Sequence, residues 1–377
     1  MIVKIGDVIS EYSVRNKFDE NIPVYSVTNE KGFCTGYFSK EVASKDKSTY
    51  KIVPRGYFAY NPSRINVGSV DWQKYEDRVI VSPLYVVFGV SDRLDRQYLL
   101  HYLKSDMMLS FIKEYATGSV RDNLKLTDLG KFPINLRPVE EQCQIAATLD
   151  KIDDLIVKRR QQLDKLDKMV KARFVEMFGT LSHPSQKFKY DILKNLCRKI
   201  TDGKHGGCTP QLGSGRYFVG AREIFDDTVH YETAPEIAID EFEKDYKRCN
   251  LEIGDLLIVN TGATIGKSAI ACDFRAQHTL LQKSVALLKV KSELINPVFL
   301  KYCYRVNETM YKVESASAQP NLLLSKINTT SIYVPPMALQ NQFAAFIEQT
   351  EKSKTTISHS LEKLEILKKA LMQEYFG

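Results

Sequence analysis

The segment Gly262–Ser268, GATIGKS, comes nearest to a chemical signature in this chain. A phosphate-cradling loop places four residues between its first glycine and the Gly-Lys-Ser end, so that backbone N–H groups wrap the anion and the lysine reaches across it. Here three residues intervene, and the segment lies between strand-like runs instead of opening a helix. The aligned stretch of the N-terminal half, Arg64–Val70, has no lysine after Gly68. Gly213-Ser214-Gly215 is likewise not followed by the pattern of a dinucleotide-binding βαβ unit. Neither stretch supports a nucleotide site.

Asn61-Pro62-Ser63-Arg64 is similar to the Asn-Pro-Pro-aromatic motif of amino-methyltransferases. It lacks both the second proline and the aromatic ring that would stack on a flipped base. The seven cysteines (Cys34, Cys143, Cys197, Cys208, Cys249, Cys272, Cys303) are odd in number and never spaced C-x-x-C. That argues against a disulfide framework and against a structural zinc site. The six histidines form no ligand pair. The partners of a Ser/His/Asp or Cys/His nucleophile lie far apart in a chain, and nothing local marks one here. The expectation is a protein without catalysis or metal of its own.

With 377 residues, 44% hydrophobic and 26% charged, the chain has room for about two to three domains, each with a core. A net charge of +7 is compatible with a polyanionic partner. No apolar run approaches the ~20 residues of a membrane span. The N-terminus turns acidic and polar too early for a signal peptide, so the expected location is cytoplasmic, with no membrane partner.

The chain repeats itself. Pro138–Gly179 and Pro336–Gly377 align without a gap at an offset of 198 residues, from 138 to 336. Identical pairs include Gln142/Gln340, Gln144/Gln342, Ala146/Ala344, Leu163/Leu361, Leu166/Leu364, Glu176/Glu374, Phe178/Phe376 and Gly179/Gly377. Unrelated 42-residue segments would share only roughly 2–3 matches. A period this long means two similar domains, not a solenoid.

In the first copy Ile145, Leu149, Ile152, Ile156, Leu163, Leu166, Val170 and Met177 recur in the 3.5-residue rhythm of a coiled-coil seam, with Arg159 and Arg173 where the seam is skipped. The second copy keeps Phe343, Ile347, Ile357, Leu361, Leu364 and Leu371. Pro138 and Gly179 suit the start and stop of one helix. Each helix of about 38 residues would span ~57 Å, more than a domain of this size needs internally. A spacer is the favoured reading; a helix packing only on its own domain is the plainer alternative.

The preceding segments differ in kind. YKIV, YFAY and VIVSPLYVVFGV in residues 1–137, and GDLLIVN, SAIA, KSVALLKV and TTSIYVPP in 181–335, are short strand-like runs between turn residues. Each half then has a helical patch, around Arg96–Tyr115 and Asn296–Lys312. Gly56/Gly254, Gly68/Gly266, Ser119/Ser317, Asn123/Asn321 and Leu124/Leu322 keep the same offset. The residues between these anchors differ almost everywhere. The fold class is therefore α+β: mixed domains at 1–137 and 181–335, and helices at 138–180 and 336–377.

The P-x-x-x-Q-x-x-(I/F)-A-A-x-(L/I) opening, the heptad helix and the (M/Y)-F-G ending closely resemble the conserved regions of type I restriction–modification specificity subunits. KITDGKHGGCTP (Lys199–Pro210) and GDLLIVNTGATIGKSAI (Gly254–Ile270) look like recurrent elements of that family's target-recognition domains. The first half has no D-G-x-H-G equivalent. The resemblance implies two recognition domains held apart by two long antiparallel coiled-coil helices in a pseudo-twofold repeat, each domain reading half of a split double-stranded DNA target. It implies a non-catalytic subunit that docks two methyltransferase (modification) subunits and restriction/translocase subunits. No cofactor is expected here, with S-adenosylmethionine, ATP and Mg on the partners.

Given that resemblance, base edges and phosphates would be met by Arg, Lys, Asn, Gln and hydroxyl side chains. The residues expected to do so are Arg55, Asn61, Ser63, Arg64, Asn66 and Arg121 in the first domain. In the second they are Lys204, His205, Arg222, Asn260, Thr261, Thr264, Lys267 and Gln319. Glycines 203, 206, 262 and 266 would shape the loops. Two other classes stay open: an autonomous DNA methyltransferase or nuclease with degenerate motifs, and a repeat scaffold that does not touch DNA.

Overall fold

Short apolar runs between turn residues make short strands, and the chain builds small, mostly antiparallel sheets from them. The structure, a computed structural model, describes residues 1–36, 46–116, 123–312 and 321–377, with only the backbone of residue 116. By contact the chain divides into two units, Met1–Arg160 with His359–Gly377, and Gln161–Ser358.

In the first unit a four-stranded antiparallel sheet runs in the order Ile9–Glu11, Val86–Val90, Phe58–Tyr60, Val70–Trp72. Phe58 and Phe88 stack at 5.0 Å on the face covered by the helix Arg96–Leu103. The run VIVSPLYVVFGV is not one strand. A turn at Ser82–Tyr85 breaks it, and Arg78–Val81 pairs instead with Lys51–Pro54. Ile2–Lys4 pairs with Pro133–Asn135, returning the chain to the foot of the first long helix.

The second unit repeats this plan. Its sheet runs Cys197–Asp202, Val285–Val290, Leu256–Val259, Ser268–Ile270, and Lys189–Ile192 pairs with Ser331–Val334. The helix Pro297–Val306 stands where Arg96–Leu103 stands in the first unit. The parallel pair Tyr217–Val219 with Thr279–Leu281 and the hairpin Ile224–Phe225/Thr228–Val229 answer the parallel bridge Val24–Ile80 and the hairpin Ser26–Thr28/Gly32–Cys34 of the first unit, and the helix Ile239–Cys249 is an addition. The expected patch Asn296–Lys312 is a helix to Val306 followed by a single turn at Glu308–Met310. Arg96–Tyr115 is two helices, Arg96–Leu103 and Asp106–Ala116.

The long helices are Val139–Phe178 and Met337–Phe376, 40 residues each, or ~60 Å. Pro138 and Pro336 stand immediately before them, and Gly179 ends the first at φ 75°, a conformation glycine adopts without a steric cost. In the first unit Asp153 pairs with Lys368 and Arg160 with Glu365. In the second unit Asp167 pairs with Lys354, and Phe178 lies on Phe343. In both, the numbering on one helix rises as the other falls, so the helices run antiparallel. The expected α+β class with an internal repeat and antiparallel long helices is the observed one.

Burial along the helices corrects the seam in one place. Ile145, Leu149, Ile152, Ile156, Val170, Phe343 and Ile347 are buried, while Leu163, Leu166, Ile357, Leu361, Leu364 and Leu371 are half-buried. The stretch after Val170 is not a skipped heptad. Phe174, beside Arg173, is fully buried between Val170 and Phe178, and these spacings of four make a stripe that faces both the second long helix and the unit's own body. Phe174 meets Phe299 and Phe343 there, at 5.7 and 5.3 Å.

Helix ends and helix starts meet at one place in each unit. Phe376 packs on Tyr98 and Tyr102 at 5.1 and 5.6 Å, and Phe178 packs on Phe299 and Phe343 at 4.9 and 5.7 Å. Close by, Gln142 and Gln340 are 0% exposed. Gln142 Oε1 accepts the N–H of Asp95 (2.8 Å), and its Nε2 donates to the carbonyls of Arg93 and Arg137 (3.0 and 2.8 Å). Gln340 does the same with Asn296, Leu294 and Pro335. Asp95 and Asn296 are the N-caps of the two short helices.

Replacing Gln142 by Leu leaves three buried backbone groups without that partner and should cost about 2–4 kcal/mol. Gln144→Leu, exposed on the same helix, should stay within about 0.5 kcal/mol. Trp72, the single tryptophan, lies in the first unit and reports its unfolding in urea. Equal midpoints for the two variants would remove the glutamine from its structural role.

Candidate nucleic-acid interface

A strand–turn–strand hairpin occupies the same place in both sheets. In the first unit it links Phe58–Tyr60 to Val70–Trp72, and in the second Leu256–Val259 to Ser268–Ile270. Eight candidates fall in these two turns: Asn61, Ser63, Arg64, Asn66, Asn260, Thr261, Thr264 and Lys267. Both turns leave through a glycine of positive φ, Gly68 at 83° and Gly266 at 89°. A Cβ on Gly68 would come within 2.8 Å of Asn29 Oδ1, and one on Gly266 within 2.6 Å of the Tyr311 ring. Backbone geometry demands glycine at both, and at Gly266 the Tyr311 ring leaves no room for a side chain either, which is why these two match at the repeat offset.

One polar clamp is built twice. Ser63 Oγ donates to Asn123 Oδ1 (2.6 Å), and the Leu124 N–H donates to the Pro62 carbonyl (3.2 Å). In the second unit Thr261 Oγ1 donates to Asn321 Oδ1 (3.3 Å), and the Leu322 N–H to the Asn260 carbonyl (2.7 Å). Each atom pair is displaced by the same 198 residues. The clamp ties the hairpin to the segment that follows the helical region and sets the height at which the turn is displayed. Sequence spacing marked Asn123 and Asn321 as anchors without revealing what they hold.

The surroundings differ. In the first unit Asn61 stands between two clefts of ≈ 350 and ≈ 450 Å³. One is walled by Arg64, Val67 and Tyr85, the other by Ser63, Leu84 and Lys125. Asn61 Oδ1 accepts the Ser63 N–H (3.1 Å), while Arg64 is exposed. In the second unit the turn opens on one cleft of ≈ 660 Å³ carrying Lys267, Phe225, Asp227, Arg305, Tyr311 and Lys354. Arg305 is bound to Asp227 and Lys354 to Asp167, whereas Lys267 is exposed.

Other candidates stand elsewhere. Arg55 closes its own loop, bound to Asp77 (3.1 Å) and to the carbonyls of Tyr75 and Glu76. Asn260 is 3% exposed, so its side chain faces the fold, where Thr261 Oγ1 donates to it. Lys204 lies 2.8 Å from both Glu241 and Asp245, and these carboxylates hold its ammonium well above the ordinary lysine range. Its charge is spent fixing its loop to the helix Ile239–Cys249. His205 and Arg222 are exposed. Arg121 and Gln319 lie outside the described residues.

These surfaces offer amides, hydroxyls and cations, the groups that read base edges and hold phosphates. Among the described residues no cluster of His, Cys, Asp and Glu could hold a metal ion. Burial pushes the thiols of Cys197 and Cys303 up to about 12, the opposite of what a nucleophile needs. No helix is long and apolar enough to cross a membrane, among the described residues.

Residues 2–167 and 211–367 match the family described as type I restriction modification DNA specificity domain. Two similar proteins come from Methanocaldococcus jannaschii. The type I restriction enzyme MjaIX specificity subunit is 24% identical over 277 residues, 68% of this chain and 62% of that one. The MjaVIII specificity subunit is 24% identical over 312 residues, 74% and 69%. The match thus spans a little under two thirds of the MjaIX subunit's own length. Two solved structures align over 100% of this chain. One, described as the structural basis underlying complex assembly and conformational transition of the type I R-M system, has a TM-score of 0.60 at 17% identity and 97% coverage of that chain. The other, the type I restriction-modification system S subunit from M. genitalium, has 0.59 at 15% and 96%. At these identities the likeness is one of fold.

The Lys204 cluster predicts a pH response. Lys204, with help from Thr209, lowers the Glu241 carboxyl from its ordinary 4.5 to about 2. Its folded value lies below its unfolded one, so its contribution is complete above 4.5 and is lost as pH falls from there toward about 2. Urea midpoints should fall across that window, and Lys204→Met should flatten the fall. An identical pH profile in the variant would contradict the assignment.

Proposed function

This chain belongs to the type I restriction modification DNA specificity family, and we propose that it is the sequence-reading subunit of a type I restriction–modification enzyme, with one half of a bipartite double-stranded DNA target read by each unit. Residues 1–137 and 181–335 act as target-recognition domains, and 138–180 and 336–377 as the helices on which partners dock. Those partners are two methyltransferase subunits and the restriction/translocase subunits, which carry S-adenosylmethionine, ATP and Mg. This subunit itself performs no bond chemistry.

The observation that carries the reading is the clamp built twice at one offset beneath turns with different surfaces. A fixed mount with an exchangeable face suits two modules that bind two different sequences. Joining them makes the second contact intramolecular, so the specificities of the two halves multiply. Within each face the proposed readers are Asn61, Ser63, Arg64 and Asn66 in the first unit, and His205, Arg222, Thr261, Thr264 and Lys267 in the second, with Ser63 and Thr261 also holding the clamp. Arg121 and Gln319 join them as proposals from sequence alone. Arg55, Lys204 and Asn260 are assigned to building the loops that carry the readers.

The test is enrichment of random duplexes by the full chain together with its methyltransferase partner. Two short conserved blocks at a fixed spacing are expected. Arg64→Ala should relax one block and Lys267→Ala the other, each costing about 1–3 kcal/mol if it reads a base. If the lysine only holds a phosphate, its loss should weaken binding uniformly and reduce the salt dependence. One continuous block, or no preference at all, would overturn the proposal.

A further inference from the structure

The most exposed large apolar side chains among the described residues are Leu212, 96% exposed, and Phe18, 89%. Single surface hydrophobics are ordinary, but these two occupy corresponding places. Phe18 lies in the segment after Ile9–Glu11, the first strand of its four-stranded sheet, and Leu212 in the segment after Cys197–Asp202, the first strand of the other. Both strands pair with the corresponding neighbour, Val86–Val90 or Val285–Val290.

Both side chains sit on turns stiffened from below. Buried Asn16 brackets the Phe18 turn: its Nδ2 donates to the Glu20 carbonyl (2.9 Å), its Oδ1 accepts the Glu20 N–H (3.0 Å), and its own carbonyl accepts the Asp19 N–H (2.8 Å). Asp19 is held at φ 47°. At the Leu212 turn the Glu236 carbonyl accepts the Gln211 N–H and Glu236 Oε2 the Gly215 N–H, while Gln211 Oε1 accepts from Ile239, with Gly213 at φ 80°. These bonds hold the backbone of each turn in place beneath an exposed apolar side chain.

The charges around the Phe18 tip favour a polyanion. Beside Phe18 the exposed Arg15 and Lys17 have no ion pair among the described residues, while Asp19 accepts the Lys47 N–H and Glu20 pairs with Arg78. Beside Leu212, Glu236 and Glu241 are engaged by backbone amides and Lys204, and the same loop presents His205. At Phe18 an apolar tip stands among free cations, which matches what enters between stacked base pairs, where Phe or Leu unstacks a step and kinks the duplex, and Leu212 holds the corresponding place in the second unit.

We propose that Phe18 and Leu212 are wedges, one per half-site, each entering a base step of the bound duplex and contributing specificity through the ease with which that step unstacks. This rests on the DNA-reading function proposed above. The experiment uses the full chain with its methyltransferase partner and the duplex enriched in the preceding test, with 2-aminopurine placed at successive positions.

Fluorescence should rise on binding at one step in each half-site. Phe18→Ala should abolish the rise in one half and Leu212→Ala in the other, whereas Phe18→Leu should retain it. Extrusion of a base for methylation also brightens the probe, but that signal should survive both alanine variants. Both positions are exposed, so thermal melts of the variants should match the parent. If the duplex binds and no rise depends on either side chain, the wedges are disproved and the DNA-reading function stands. Loss of methyltransferase assembly with unchanged probe signals would assign the tips to a protein partner and overturn the proposal. Failure to enrich any duplex would overturn both readings.

Discussion

A buried glutamine at the first turn of each long helix sets the frame on which the remaining parts are hung. Gln142 and Gln340 each take one N–H from the cap of a short helix and give two hydrogen bonds to carbonyls on either side. An amide can do this because it is donor and acceptor at once and carries no charge to bury. A carboxylate would repel the two carbonyls, and an ammonium could not accept the N–H. The bond network fixes the angle between the long helix and its unit, and the phenylalanines at 178 and 376 close the same junction with apolar area.

From that junction outward the constraints loosen in a graded way. The four-stranded sheets keep topology and turn glycines because backbone geometry admits little else. The Ser63–Asn123 and Thr261–Asn321 bonds keep the mount of each hairpin. Beyond the mount, side chains face solvent and lose only what they would bind, so the turns could diverge without cost to the fold. The second unit's added helix Ile239–Cys249 shows how far this went: it supplies Glu241 and Asp245, which tie down Lys204.

Much of the architecture was legible in the residues. The offset of 198, the proline starts and glycine stops, and the heptad spacing name two long helices and two related bodies. The turn glycines were visible as isolated matches, and positive φ explains them. Less legible were places where one sequence property serves two ends. Phe174 looked like part of a skipped heptad because coiled-coil periodicity counts only one partner, while this side chain packs both on the other long helix at Phe343 and on the short helix at Phe299. Lys204 and Asn260 read as loop residues suited to binding. Their partners, Glu241 with Asp245 and the fold beneath Asn260, lie far along the chain or on its inner side.

By itself the sequence determined the duplication, the classes of secondary structure and the residues barred from change, because these follow from local sterics and periodicity. Only the tertiary structure decided which polar side chains are spent inside the fold and which remain free to meet a ligand. Hydrogen bonds and ion pairs between residues tens of positions apart make that division, and nothing in local spacing encodes them. It also decided that Phe18 and Leu212 stand bare on stiff turns, since exposure results from everything that fails to pack above a residue.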